Sequence, residues 1–406
     1  MNKWLTRFVL AVTVVVLAMM LLKVNIRDED SVLARSFRES EDRVAQTEWT
    51  CSGWDGRPCN AHDEIRSSSA RDGVIEEEVA SWLDHWGTKG RSPVQRGLKR
   101  MGRYEDYIDA ELAARNLPPS LRYLPLIEAD YYHLAVSPAG AAGLWQLMPE
   151  TARSLGLDVN SLVDERFDAY VATQAALDYL VALHDRFQCW FLALAAYNAG
   201  PTRIERVIRR HGGARPRNDA LFEHIRAGLP KETRDFVPKF LASVHLAGDL
   251  SVIRQTPPEK DPPEHSDVVR VEGAASADVL AEAAGITEDE IRTLNPHLRI
   301  GLVPAGRSTR VRLPVGGGET FFARLARIPV GERSTFREHT VVSGETLARI
   351  AQWYGVALDA LRTVNLDVEP RRMQIGTVLV IPRVATAMAN SSPIAVEPSS
   401  SRPAGT

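Results

Sequence analysis

The stretch Trp190-Phe191-Leu192-Ala193-Leu194-Ala195-Ala196-Tyr197 decides the fold of the largest part of this 406-residue chain. It is almost entirely apolar around the whole circumference of a helix, and such a helix is buried at the centre of a domain. Asn198-Ala199-Gly200 ends the helix, and Pro201 suits the first turn of the next one. Tyr197 and Asn198 are therefore expected at the mouth of a central, buried helix.

The segments around this central helix also space their apolar residues with a helical period. Amphipathic patterns cover residues 74–86, 103–115 and 168–187,. None of the surrounding segments alternates as a half-buried strand does. We therefore predict an all-α domain, placed at residues 74–250, within a multidomain protein.

Composition excludes several classes of protein. The chain is 44% hydrophobic and 25% charged, which is typical of a globular protein and excludes a wholly disordered one,. A net charge of −3 argues against a protein that binds nucleic acid,. Three cysteines are too few for a disulfide framework or a four-cysteine zinc module,. No cluster of His, Cys and Asp suggests a metal site, so we predict no metal and no other cofactor.

An apolar segment lies at the N-terminus. Residues 8–22 are apolar and follow Lys3 and Arg7, which predicts a membrane anchor at residues 1–27 with the remainder exported,. A cleaved signal peptide has the same basic start and short apolar core, and it remains the alternative.

The two polar segments of the chain are predicted to lie outside the folded domains. Residues 28–73 would form a stalk, and the Ser/Pro/Ala-rich residues 384–406 a disordered tail,. In an exported chain Cys51 and Cys59 could pair, because the compartment is oxidising. Cys189 lies in an apolar helical run and is predicted to be a small buried residue rather than a nucleophile.

The C-terminal part contains an internal repeat behind a proline-rich linker at residues 251–266. Residues 281–295 align without gaps with residues 351–365, and six of the fifteen positions are identical. Each copy lies between two β-prone segments, which predicts the order strand, helix, helix, strand. We therefore expect two small α+β modules, at residues 267–316 and 338–383.

Glu128 is a candidate general acid. A helix is predicted over 121–132, starting near Pro119, because proline suits a first turn. Leu121, Leu124 and Glu128 then share one apolar stripe with Tyr131. Desolvation on that stripe disfavours the charged carboxylate and raises its pKa, which suits general acid catalysis near neutral pH. A solvated or ion-paired glutamate at a helix edge is the alternative interpretation.

Three further stretches accompany Glu128: the small-residue loop 135–149, the end of the central helix at 196–201, and the helix start at 229–238. Together they resemble the ordered motifs of the soluble-lytic-transglycosylase family, which is goose-lysozyme-like. The similarity extends over about residues 75 to 383. It is closest to the membrane-bound D-type branch, which joins this domain to C-terminal LysM modules.

The resemblance implies a role for each candidate site residue. Glu128 would be the catalytic acid and base. Gln146, Tyr197 and Asn198 would line the sugar cleft, and Ser137 would shape the loop beside Glu128. Alternatives from the residues alone are a core aromatic for Tyr197, a helix N-terminal surface residue for Gln146 and a helix C-cap for Asn198.

Two positions depart from the family pattern. Ala129 follows Glu128 where the family usually has serine, and Phe236 stands where the family usually has tyrosine. Two hydroxyl groups that could orient the carboxyl or the substrate are therefore missing. This departure leaves a non-catalytic relative as an alternative to an enzyme.

The expected reaction follows from the number of carboxylates. Ordinary glycosidases use two of them, whereas Asp130 is expected to project from another side of the helix than Glu128. The resemblance implies a lytic transglycosylase, in which Glu128 alone cleaves the β-1,4 bond between N-acetylmuramic acid and N-acetylglucosamine and leaves a 1,6-anhydro end. The alternatives are a hydrolytic muramidase and a non-catalytic peptidoglycan-binding scaffold.

The second repeat resembles a LysM module. Such modules bind glycans that contain N-acetylglucosamine, and the resemblance implies a groove bordered by Gly344, Glu345, Thr346 and Asn365. The first repeat is degenerate at residues 273–276 and is interpreted as a glycan module, a spacer or a packing partner. The expected partners are peptidoglycan glycan strands and, through the N-terminus, the periplasmic side of the inner membrane.

Overall fold

The computed structural model of this protein describes three ranges, residues 73–248, 256–365 and 368–382. Several predicted features lie outside them, namely the anchor at 1–27, the stalk at 28–72, the pairing of Cys51 with Cys59, and the tail at 384–406. Within the described ranges no helix is long and apolar enough to cross a bilayer. The chain divides into two compact units, one ending at Asp267 and including Thr293–Arg299, the other formed by Val268–Arg292 and the residues from Ile300 onward.

The first unit is helical. Its α-helices are α1 Gly73–Gly87, α2 Arg91–Met101, α3 Glu105–Ala114, α4 Leu124–Ala129, α5 Pro149–Ser154, α6 Ala169–Phe187, α7 Trp190–Ala199, α8 Pro201–Val207, α9 Asp219–Ile225 and α10 Lys231–Gly248. Short 3-10 segments occur at Pro119–Tyr123, Glu165–Phe167 and Arg226–Gly228, and a π turn follows α8 at Ile208–Gly212. The predicted helices at 74–86, 103–115 and 168–187 agree with α1, α3 and α6 to within two residues.

Helix α7 is the centre of this unit. Its residues from Trp190 to Ala196 are all buried, and α7 packs against α6, α8, α9 and α10. Asp168 begins α6 by accepting hydrogen bonds from the backbone N–H groups of Tyr170 and Val171, at 3.0 and 3.2 Å,. The predicted central helix is therefore present, and it extends to Ala199.

The helix that carries Glu128 is shorter than predicted. A 3-10 segment precedes α4, and α4 ends at Ala129 rather than near Tyr132. Asp130 and Tyr131 have left-handed backbones, with φ of 47° and 54°. Their N–H groups turn back to the carbonyls of Leu126 and Pro125, and the buried Tyr131 hydroxyl donates to the Arg122 carbonyl at 2.5 Å. Burial of the tyrosine thus ends the helix.

The predicted linker packs on the first unit along its described part. Asp261 forms ion pairs with Lys99 and Arg103, at 3.0 and 2.8 Å, and its N–H donates to the Lys99 carbonyl. Gly102 has no room for a side chain, because a β-carbon there would lie 2.3 Å from the Asp261 carbonyl. Asp261 therefore fixes the linker against the basic end of α2.

The C-terminal modules contain short strands and helices. The first has β1 Asp267–Glu272, β2 Ala275–Ser276, α11 Ala277–Ala284, α12 Glu288–Leu294, β3 Leu302–Val303, β4 Ser308–Leu313 and α13 Gly318–Leu325; the second has β5 Phe336–Thr340, α14 Leu347–Tyr354, α15 Leu358–Thr363 and β6 Val378–Pro382. Strand β1 pairs with β4, β2 with β3, and β5 with β6; the last two pairs are antiparallel.

Both modules have the predicted order of outer strand, two helices and outer strand. The first adds the small β2–β3 pair and helix α13, for which no element was predicted. Phe321 of α13 is fully buried, and α13 packs against α11. Strand β5 begins at Phe336, two residues before the predicted start of the second module at residue 338.

Candidate active site

Glu128 lies in the last turn of α4, and its side chain is half-buried. Burial raises its pKa from 4.5 to about 8; the positive charge of Lys239 opposes this rise and the negative charge of Glu232 adds to it. No described residue donates a hydrogen bond to this carboxyl group. The arrangement holds a carboxylic acid that is protonated at neutral pH and available to an incoming group.

Tyr197 and Asn198 connect the end of α7 to the rest of the site. The Tyr197 hydroxyl donates to the Trp145 carbonyl at 2.7 Å, and burial together with the Glu128 charge raises the pKa of this phenol well above its usual value. The Asn198 carboxamide oxygen accepts a hydrogen bond from the Thr233 hydroxyl of α10 at 2.9 Å. Gly200, not Asn198, is the C-cap of α7.

Gln146 and Ser137 shape the loop at residues 135–149. Gln146 has a left-handed backbone with φ of 47°, and its amide nitrogen donates to the carbonyls of Gly143 and Ala135, at 2.8 and 3.3 Å. The Ser137 hydroxyl accepts from the Ala141 N–H at 3.0 Å. Helix α5 begins only at Pro149, so Gln146 is not a helix N-terminal residue.

A buried ion pair that the sequence analysis missed supports this loop. Arg166 and Asp164 are 6% and 2% exposed and pair at 2.7 Å. The Arg166 guanidinium also donates to the carbonyls of Gly140 and Leu147, at 2.8 and 3.0 Å. A β-carbon on Gly143 would lie 1.8 Å from the Arg166 carbonyl, and this glycine has φ of 80°. The sequence signal was weak, because an Asp and an Arg two residues apart form no recognised motif.

The two departures from the family pattern lie on α4 and α10. Ala129 is the last residue of α4 and is half-buried. Phe236 of α10 is 6% exposed and belongs to the hydrophobic core of the first unit. Thr233 of α10 has a hydroxyl, and it donates to the Asn198 carboxamide oxygen at the end of α7.

The second module has a surface cavity of about 380 Å³ between the β5–α14 loop and α14. Ser343, Gly344 and Glu345 line one side, and Arg349 and Trp353 line the other. Trp353 is 70% exposed. An exposed indole beside polar groups is a surface on which a sugar ring can stack.

Two of the predicted glycan-binding residues have structural partners. The Glu345 carboxylate accepts the Val342 N–H at 2.8 Å and pairs with His339 at 2.9 Å. The Thr346 hydroxyl caps α14 by accepting the Arg349 N–H at 3.3 Å,. Glu345 and Thr346 therefore hold the loop that borders the cavity.

Asn365 does not border the cavity, contrary to the sequence prediction. It is 2% exposed. Its amide nitrogen donates to the carbonyls of Leu361 and Val380, and its oxygen accepts the Val380 N–H, all within 2.8 Å. Asn365 therefore joins α15 to β6. In the first module, residues 275 and 276 are buried in β2, where the second module has its open loop.

Three family models match the chain along its length. They are the transglycosylase SLT domain at residues 106–219, the LysM-like domain of lytic transglycosylase MltD at 265–330, and the LysM domain at 339–382. The chain therefore carries a transglycosylase SLT domain followed by two LysM-type domains. Helix α10, which contributes Thr233, Phe236 and Lys239, lies beyond the SLT match.

Two curated proteins illustrate the similarity of the chain to known sequences. The chain is a homologue of membrane-bound lytic murein transglycosylase D of Escherichia coli K12, with 27% identity over 314 residues, which is 75% of this chain and 68% of the relative. A putative tributyltin chloride resistance protein of Alteromonas sp. strain M-1 is 42% identical over 106 residues, 26% of this chain and 51% of that protein.

Solved structures of lytic transglycosylases also match. The Slt enzyme of Pseudomonas aeruginosa, solved as an inactive variant, has 27% identity and a TM-score of 0.30 over 38% of this chain. The 70 kDa soluble enzyme of Escherichia coli has 24% identity and a TM-score of 0.31 over 40% of it. This chain spans about a quarter of the length of those two proteins, 25% and 27%.

Removing the Arg166 side chain should destabilise the first unit. The change Arg166→Met leaves Asp164 buried with much of its charge uncompensated, and breaking such a pair costs about 3 kcal/mol or more. The exposed pair of Arg186 and Glu205 provides the control, because Arg186→Met should cost at most about 1 kcal/mol. Denaturant unfolding measures both, and equal losses would contradict the role given to Arg166.

Glu128 should make the stability of the protein depend on pH. Its pKa is about 8 in the folded chain against 4.5 for an ordinary glutamate. The unfolded chain therefore releases this proton first, and the folded state loses stability as the pH rises from about 4.5 to about 8. The variant Glu128→Gln lacks this loss. The melting temperature of Glu128→Gln minus that of the wild type should therefore be small at pH 4 and should increase up to about pH 8. A difference that does not depend on pH would contradict the burial of this carboxyl.

Proposed function

We propose that this protein is a peptidoglycan lytic transglycosylase that cuts the β-1,4 bond between N-acetylmuramic acid and N-acetylglucosamine with Glu128 as its only acid–base group. The observation that carries the proposal is the Glu128 carboxyl itself, held protonated at neutral pH near Tyr197, whose hydroxyl bonds to the loop 135–149 at Trp145. The SLT-domain match and the transglycosylase relatives support the same reaction class.

The reaction uses the Glu128 carboxyl group twice, first as an acid and then as a base. Glu128 first gives its proton to the glycosidic oxygen, the bond from that oxygen to the muramyl anomeric carbon breaks, and an oxocarbenium-like species forms. The Glu128 carboxylate then takes the proton of the muramyl C6 hydroxyl. The C6 oxygen bonds to the anomeric carbon and closes the 1,6-anhydro ring, so Glu128 ends protonated and no water is consumed.

The remaining site residues would shape the cleft around this step. Gln146 and Ser137 hold the loop 135–149 in a conformation that brings small residues toward the cleft,. Tyr197 and Asn198 fix the end of α7 against that loop and against α10. In this proposal their exposed faces contact the sugar, while the hydrogen bonds described above fix their orientation.

The second module would hold the enzyme on its substrate. A weak glycan site tethered to the catalytic unit raises the effective concentration of the cleft at the cell wall. The name of the Escherichia coli relative, a membrane-bound murein transglycosylase, supports a place in the cell envelope. We propose anchoring by residues 1–27 on the periplasmic side of the inner membrane, with the first module as a spacer.

The first test is the product of the reaction. The full chain, purified in detergent, is incubated with isolated peptidoglycan, and the released muropeptides are analysed by mass spectrometry. We expect anhydro-muramyl ends, and we expect Glu128→Gln to lower their rate of release by about a hundredfold or more, because general acid–base catalysis contributes about that much.

The control for this test is Glu150→Gln, which neutralises an exposed carboxylate of α5 and should leave the rate unchanged. Reducing ends in place of anhydro ends would identify a hydrolytic muramidase. Binding to the wall without any release would identify a non-catalytic scaffold, consistent with the absent hydroxyls at Ala129 and Phe236.

Trp353 should carry glycan affinity in the second module. Removing its exposed indole by Trp353→Ala takes away the stacking surface, and we expect about a tenfold weaker affinity for an N-acetylglucosamine tetramer in isothermal titration calorimetry. Ile375→Ala is the matched control, because Ile375 is equally exposed at 71% and does not line the cavity. Equal affinities of the two variants would argue against the stacking surface.

A further inference from the structure

Lys239 of α10 reaches the last turn of α4 immediately before Glu128. Its ammonium donates a hydrogen bond to the Ile127 carbonyl at 2.6 Å. It also lies 5.5 Å from the centre of the Trp82 ring of α1, a distance at which a cation is attracted to an indole face. The lysine side chain is half-buried, so its ammonium is held in place between α4 and α1.

Burial and the neighbouring charges shift the pKa of Lys239 in opposite directions. Burial lowers the pKa of the ammonium, whereas the charges of Glu128, Asp130 and Glu232 raise it. The interaction is reciprocal, since Lys239 is also the first charge that opposes the burial-driven rise in the Glu128 pKa. Burying a cation even partly costs free energy unless the cation is paired. We therefore expect Lys239 to have a role beyond packing.

Lys239 approaches Glu128 from behind α4. A cavity of about 160 Å³ between α1, α2, α4 and α10 is lined by Trp82, Leu126, Asp130 and Lys239, among others, and Glu128 is not part of its wall. Leu126 of α4 lines this cavity, while Glu128, two residues further along the same helix, projects to another side of it. The Lys239 cation thus lines a cavity whose wall does not include Glu128.

We propose that Lys239 is the positioning residue of Glu128: it fixes the end of α4 through the Ile127 carbonyl and supplies the positive charge that the Glu128 carboxylate requires between its two proton transfers. This inference rests on the proposed function, in which Glu128 becomes a carboxylate inside a poorly solvated site. Without a nearby cation, the charged form that links the two steps would be much less stable there.

Other charged groups around Glu128 do not replace Lys239. From α10, Glu232 also faces it and is negative; from α7, Tyr197 is neutral with a strongly raised pKa. Asp130 caps α4 itself, and Arg100 of α2 donates to the Asp130 carbonyl at 3.3 Å. Among the groups of the described residues that shift the Glu128 pKa, Lys239 is the cation.

The test separates the charge of Lys239 from its hydrogen bond. Lys239→Met removes both, Lys239→Gln keeps a donor for the Ile127 carbonyl without the charge, and Lys239→Arg keeps the charge. Removing the charge favours the protonated form of Glu128 and raises its pKa, so the alkaline limb of kcat/KM on peptidoglycan should move to higher pH by about half a unit or more. We also expect kcat at neutral pH to fall about threefold in the Met and Gln variants, because half a pKa unit makes Glu128 an acid weaker by about that factor.

The controls define what would overturn the proposal. Lys239→Arg should keep the wild-type limb, and Lys231→Met, which removes an exposed cation at the start of the same helix, should change nothing. If the limb stays in place in the Met and Gln variants, or if Gln behaves as wild type, the charge of Lys239 does not act on Glu128. If Lys239→Met does not fold, the pH limb of Lys239→Gln alone shows whether the charge acts on Glu128.

A second measurement tests the effect of Lys239 on Glu128 without requiring the enzymatic reaction. The melting-temperature difference between a chain and its Glu128→Gln counterpart reports the pH range in which Glu128 titrates, with no need for turnover. That range should move upward when Lys239→Gln is present in both chains. If this pH range moves but no anhydro-muramyl product is ever released, the proposed function is wrong and the effect of Lys239 on Glu128 is supported. If the range does not move, Lys239 does not act on Glu128, whatever the activity.

Discussion

The complete burial of helix α7 is the constraint on which the first unit depends. A helix that is apolar on all sides must be covered on all sides, and α6, α8, α9 and α10 provide the cover. Polar residues can then occur only where α7 emerges, at Tyr197 and Asn198. Their hydrogen bonds to Trp145 and Thr233 tie the loop 135–149 and α10 to the same point, and Glu128 lies close enough for its charge to act on Tyr197.

The sequence was sufficient where one strong local pattern determined the structure. The central helix, the start of the next helix at Pro201 and the repeat with its two modules follow from periodicity, proline and the alignment of residues 281–295 with 351–365. It failed at the end of α4, because the apolar stripe continues through Tyr131 and only the burial of that ring turns the chain. It also missed Asp164 and Arg166, whose importance arises from carbonyls 19 and 26 residues away along the chain.

Asn365 illustrates the limit of a motif as a guide to function. The resemblance of the second repeat to a LysM module implied that this residue borders the glycan groove. The structure buries it, and its amide group joins α15 to β6. A residue can be required by a module because it completes the fold. Trp353 was not singled out from the sequence, yet it is 70% exposed and is a better candidate for ligand contact than Asn365. The Asn365 amide is buried, and both of its N–H donors are bonded to backbone carbonyls.

The absent hydroxyls at Ala129 and Phe236 change how the Glu128 carboxyl must be controlled. The nearby polar groups are already engaged with other parts of the protein: Thr233 with Asn198, Tyr197 with Trp145, and Gln146 with its own loop. The influences on the carboxyl are therefore burial, which raises its pKa, the Lys239 charge, which opposes that rise, and the Glu232 charge, which adds to it. Charge acts over distance with little directional requirement, so a site of this kind can tolerate the loss of orienting hydroxyls. The same argument makes the placement of α10 important for Glu128, because this helix carries Lys239, whose ammonium donates to the Ile127 carbonyl.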